Sequence, residues 1–257
     1  ANGSSGGGGI FGSHSTVTVV NKSTITENTA ADHPRADGGG IAVTKDSTLT
    51  VTGDSKITAN SAADCGGGIY AEGSSLDVKD SFIDSNTAHH GGGLYVSDAN
   101  VSGEVASKLI HTVTNTEITN NTAKGTSSNP GIGGGIHVAT QNLTITNSKV
   151  SGNKAPDKGS QGGGIVSYGS KDITLDNTLV TDNSADSGAG LYCLSTNGTH
   201  IVLKNNTHID ANIANAGGGL YLYSLRKDAP IQFDLLDSFI CENKTNTNGG
   251  GVFAYNG

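Results

Sequence analysis

One motif, repeated eight times, limits what this chain can become: Ile or Val, two residues, Asn, one residue, then Ala or Thr. Its Asn column is Asn28, Asn60, Asn86, Asn121, Asn153, Asn183, Asn212 and Asn243, and its β-branched column is Ile25, Ile57, Ile83, Ile118, Val150, Val180, Ile209 and Ile240. Between successive copies lies a glycine triplet and an aliphatic residue, ending at Ile10, Ile41, Ile69, Leu94, Ile136, Ile165, Leu191, Leu220 and Val252, with Gly188-Ala189-Gly190 as the imperfect case. Upstream of each Asn motif runs a short alternating stretch such as Leu143-Thr144-Ile145-Thr146, whose period of two marks a strand. No 3.6-residue apolar period is present.

Repeats of this kind stack, because each unit is too thin to bury its own apolar face. The expected fold is all-β: a right-handed single-stranded parallel β-helix of about eight coils with three short strands each, forming one domain over residues 1–257. The Ile, Val and Leu columns then fill the interior, and the Asn side chains hydrogen-bond up the stack as a ladder. Glycine triplets suit corners where backbones approach closely. Composition agrees, since 39 Gly and only 33% hydrophobic residues would starve a compact globular core but serve a narrow one. The coil from Leu94 to Ile136 carries extra residues near 97–107 and 124–130, expected as surface loops.

At this point the chain resembles the polymorphic outer-membrane proteins of chlamydiae and similar repeat proteins of other microbes and protists. Their passengers repeat Gly-Gly-Ala-aliphatic and Phe-x-x-Asn tetrapeptides, matched by stretches such as Gly66-Gly67-Gly68-Ile69 and Ile57-Thr58-Ala59-Asn60, with Gly in the Ala place and Ile or Val in the Phe place. The resemblance implies a secreted or cell-surface β-helix that acts in adhesion or surface architecture. Its implied partners are other copies of itself, or surface proteins and glycans.

A net charge of −8 with only two Arg gives no electrostatic footprint for nucleic acid. No apolar run approaches the ~18 residues of a membrane span. The first and last residues lie close to glycine triplets, so the expectation is a segment of a longer solenoid, or subunits stacked end to end as a filament. Three Cys, at 65, 193 and 241, form no disulfide framework and are expected as free thiols.

Polysaccharide lyases and hydrolases also use parallel β-helices, so catalysis has to be looked for. Sugar hydrolysis needs paired carboxylates at ~5 to 9.5 Å on one face, and the acids here are scattered. No catalytic residue and no cofactor is assigned. The best metal candidates lie in turns joining the Asn motif to the glycine triplet, namely Asp32, His33, Asp37, Asp64, Cys65, His89 and His90, but the set has no fixed ligand spacing and polar turns ordinarily face water.

The residue after each triplet's aliphatic should point outward, and this column reads Phe11, Ala42, Tyr70, Tyr95, His137, Val166, Tyr192, Tyr221 and Phe253. Such a stripe is a candidate face for binding or assembly, or it stabilises the solenoid by ring stacking. A glycan-binding or polysaccharide-active module is therefore the alternative function. A lesser one is ice binding, for which the Thr pairs at 50 and 52, 112 and 114, and 144 and 146 fit, whereas Asp77, Lys79, Lys204 and Asp234 break the rank. Sequons at Asn2, Asn21, Asn100, Asn120, Asn142, Asn197, Asn205 and Asn243 make this a possible glycoprotein.

Overall fold

The computed structural model describes residues 6–31, 35–126 and 128–256. Strands at matching places in successive coils pair in parallel, so each coil lies about 4.8 Å above the last. Three sheets run the length of the stack. Sheet 1 has nine strands, from Ile10–Ser13 to Val252–Asn256, while sheet 2 (Thr16–Val19 to Gln232–Leu236) and sheet 3 (Thr24–Thr26 to Phe239–Cys241) have eight each. Two-residue strands after the Asn, such as Ser61–Ala62 and Thr87–Ala88, add a minor four-stranded sheet. Two residues are too few to print a period, which is why the sequence announces only three strands per coil.

Register puts like on like. Ile57, Ile83, Ile118 and Val150 are neighbours in sheet 3, and all are fully buried. The alternating strand Asn142–Thr146 buries Leu143 and Ile145 and leaves the residues between them half-exposed. Each fully buried Ile or Leu contributes ~1.5–3 kcal/mol relative to an exposed one, so a core one residue wide still holds the stack. In the last coil Leu235 and Val252, aligned with the buried Leu203 and Leu220, are 45% and 39% exposed.

Polar ladders tie the corners. The Asn column forms as expected: Asn60 Nδ2 donates to Asn86 Oδ1 at 3.0 Å and to the Ile25 carbonyl at 3.0 Å, while Asn86 Oδ1 also accepts from the Asn60 backbone N–H at 2.9 Å. A second ladder of Ser and Thr lines the corner between sheets 2 and 3, where the backbone N–H of Thr116 donates to Ser148 Oγ and that of Thr178 to Thr207 Oγ1, both at 3.1 Å. The buried side chains of these two ladders thus find partners in the adjacent coil.

The triplet glycines are required rather than tolerated. Gly66 has φ +65°, and a Cβ there would lie 2.4 Å from the Ile69 carbonyl oxygen. A Cβ on Gly68 would lie 2.6 Å from the Gly93 carbonyl oxygen and 3.0 Å from Asn86 Nδ2, so the Gly and Asn columns presuppose each other.

The insertion after Leu94 is a packed cover. It holds a short helix, Gly103–Ala106, capped by Ser102, which no apolar period foretells. Asp98 and His111 form a buried pair beneath it, with His111 Nε2 at 3.1 and 3.2 Å from the two carboxylate oxygens. Asp98 Oδ2 also accepts from the Gln141 backbone N–H at 3.3 Å, pinning the insertion to the next coil.

Candidate functional site

The outward column of sheet 1 is in register as expected: Tyr70 pairs with Tyr95, Tyr95 with His137, Tyr192 with Tyr221, and Tyr221 with Phe253. Rings follow one another, Tyr70 and Tyr95 stacked at 5.3 Å and 12°, Tyr192 and Tyr221 at 5.0 Å and 13°. Most of these outward rings are nevertheless covered. Tyr70, His137 and Tyr192 are each only 6% exposed, Tyr95, Tyr221 and Phe253 are half-buried, and Phe11 alone is open, at 52%.

The cause is a second layer. The segment just before each triplet forms its own run of parallel bridges, Cys65 to His90 to Ile132 to Gln161 to Ser187 to Ala216, up the same side of the stack. These residues lie against the rings: Cys65 packs with Ala42 and Tyr70, His90 meets His137 edge-on at 5.6 Å, and Gln161 accepts the Tyr168 hydroxyl. Tyr168, which lies outside the column of residues directly after each triplet's aliphatic, fills the gap left by Val166, lying 5.2 Å from His137 and 6.2 Å from Tyr192. It sits two residues beyond Val166 on the same strand face, a spacing the sequence does display. Burial pushes the Tyr168 hydroxyl up to about 12 and the Tyr70, Tyr95 and Tyr192 hydroxyls higher still. Burial, then His90, pushes His137 down to about 3.

The polar turn residues meet in this second layer. Asp64, His89 and His90 each offer a ligand atom within 4.8 Å of the others, and Asp37, Asp64 and Cys65 form an overlapping set. Backbone contacts hold them, since the N–H groups of both His89 and His90 donate to the Asp64 carbonyl at 2.9 and 2.8 Å. The Cys65 N–H donates to Asp37 Oδ1 at 3.1 Å. Burial, then the hydrogen bond from Cys65 working against it, leaves the Asp37 carboxyl at about 6. Burial and the two aspartates push the Cys65 thiol far up. Burial, then His89, pushes His90 down to about 4. Asp32 and His33, the other candidates of this edge, lie outside the described residues. A third group, His208, Asp210 and Cys241, lies on the outer face of sheet 3 in the last two coils.

The remaining candidates scatter. Asn243 belongs to the ladder, with Nδ2 donating to the Ile209 carbonyl at 2.8 Å, so a glycan there would break it. Asn21, Asn100, Asn120, Asn197 and Asn205 are exposed, Asn142 is half-buried, and Asn2 lies outside the described residues. The outward rank of sheet 2 reads Thr18, Thr50, Asp77, Thr112, Thr144, Thr174, Val202, Asp234, interrupted as expected. Among outward acids, Asp172 and Asp234 flank His200, at 3.9 and 2.8 Å. Cys65 and Cys193 are buried free thiols and Cys241 an exposed one.

No helix among the described residues is long and apolar enough to cross a membrane. No curated protein and no solved structure matches the chain. The family of right-handed β-helix regions matches residues 2–257. With its parallel coils, continuous interior columns and Asn ladder, the chain belongs to that right-handed β-helix family.

Proposed function

We propose that this chain is a non-catalytic β-helical scaffold, secreted or displayed at a cell surface, with an adhesive or structural role like that of the polymorphic outer-membrane passengers it resembles. One observation carries the reading: the repeated side chains are spent on coil-to-coil contact. Ile and Val columns pack on themselves, the Asn ladder joins neighbouring coils, and the aromatic column lies under its turn layer. Such construction favours a long, stiff object over a cleft. The burial of Tyr70, His137 and Tyr192 weighs against the alternative glycan platform, because a sugar needs the ring faces open.

The test is incubation of the whole chain with acidic and neutral polysaccharides, read by reducing-end release and by formation of unsaturated uronates. The scaffold reading expects no turnover. Turnover that disappears in Asp172→Asn or Asp234→Asn, the carboxylates flanking His200, would overturn it.

A further inference from the structure

Three side chains in the turn layer bring nitrogen and oxygen ligand atoms close to one another. His89 Nε2 lies 3.1 Å from the Asn129 carbonyl oxygen, which can only accept, so this nitrogen carries the proton. The His89 Nδ1 faces Asp64 Oδ1 at 3.8 Å, beyond hydrogen-bond distance. Beside them His90 Nδ1 is buried without a hydrogen-bond partner among the described residues. A buried ring nitrogen without a partner is costly, and here it stands beside a carboxylate and a second imidazole whose ligand atoms are all within reach of one shared cation.

We infer that Asp64, His89 and His90 bind a zinc-type transition-metal ion that clips the turn of one coil to the turn of the next. The donor set suits it, since two imidazoles and a carboxylate select zinc over calcium or magnesium, which prefer all-oxygen shells. The His89 contact to a backbone carbonyl is the arrangement that orients metal-ligating histidines, fixing which nitrogen is free. Spacing is close to what is needed. Ligands ~2.0–2.2 Å from a tetrahedral ion stand roughly 3.4 Å apart, so the pair at 3.8 Å closes by a few tenths and the rest by side-chain rotation. The two turns are already held together, because the Asp64 carbonyl accepts both histidine N–H groups. Side-chain exposures of 13% for His89 and 29% for Asp64 leave a route in from solvent, by which water can serve as fourth ligand.

The consequence is structural. Asp64 lies next to Cys65, which packs on Tyr70, and His90 packs on His137, so an ion here fastens the cover over the middle of the aromatic column.

The experiment is equilibrium dialysis of the whole chain against Zn²⁺, with bound metal counted by atomic absorption, and Co²⁺ as a coloured substitute. One zinc per chain is expected, with intense tetrahedral Co²⁺ absorption and slower amide exchange at residues 64–66 and 89–91. Excess calcium should not displace it. Asp64→Asn and His89→Gln, each checked by circular dichroism to keep the metal-free fold, should weaken binding on the order of 100-fold or more, because each removes a direct ligand. Cys241→Ala should leave it unchanged, separating this site from the group at His208 and Asp210. Failure to retain zinc, undiminished binding in both ligand variants, or loss of binding in Cys241→Ala would each overturn the assignment.

Discussion

Replacing Asn121 by alanine removes a fully buried amide from the middle of the ladder, and the structure gives the size of the loss. Four hydrogen bonds disappear: Asn121 Nδ2 to Asn153 Oδ1 (3.0 Å) and to the Ile83 carbonyl (2.9 Å), and those that Asn121 Oδ1 accepts from Asn86 Nδ2 (3.0 Å) and the Asn86 backbone N–H (2.9 Å). At a net ~1 kcal/mol each the cost is about 4 kcal/mol, and the Asn86 N–H left without this acceptor in a dry corner raises it. For a chain of this length, each kcal/mol moves the melting temperature by ~2–4 °C, so a fall of about 8 °C or more is expected. Asn28→Ala is the control. Its Nδ2 gives up only the bonds to Asn60 Oδ1 (3.0 Å) and the Thr26 carbonyl (3.1 Å), at a half-buried position, so the fall should be less than half as large. Thermal and urea unfolding followed by circular dichroism compare the two. Equal shifts would mean that the ladder is decoration on a stack held by its apolar columns alone.

Ile118→Asn puts an amide into a fully buried apolar column that the Asn ladder touches only at its backbone carbonyls, combining ~1.5–3 kcal/mol of lost burial with an unpaired polar group; loss of cooperative melting is expected, and a melting temperature within a few degrees of the parent would show the column to be looser than described. Alkylation of the native chain by iodoacetamide should mark Cys241 first, because it is exposed, while burial pushes the Cys193 thiol up to about 11 and the Cys65 thiol further; mass spectrometry finding Cys65 or Cys193 modified first would contradict the packing of sheet 1 and its cover.

Much of this architecture is legible in the sequence because a stacked repeat prints each column as identical residues at corresponding places. Ile83 over Ile118 and Asn86 over Asn121 can be aligned by eye, and the register follows. The outward direction of Tyr70 and Tyr192 follows from strand alternation, but their burial does not. It depends on the turn before each triplet, where Cys65, His90, Ile132, Gln161, Ser187 and Ala216 share no residue type and so show no column. Backbone bridges align these six, and hydrogen bonds between peptide groups leave no mark on side-chain identity. The meeting of Asp64, His89 and His90 is hidden for the same reason. The Ser/Thr ladder was there to be read, in dipeptides such as Asn115-Thr116, Asn147-Ser148 and Asn177-Thr178, each just ahead of the β-branched column.

The Asn ladder also has a direction. Every amide from Asn28 to Asn212 donates its Nδ2 proton to the Oδ1 of the following coil. The orientation is forced, because each Oδ1 also accepts a backbone N–H and so cannot be the nitrogen. Seven bonds pointing one way make a row of aligned dipoles, each polarising the next. A coil inserted in reverse would set oxygen against oxygen and nitrogen against nitrogen at the corner. The solenoid therefore has an electrical polarity along its axis, and whatever extends it must arrive facing the same way.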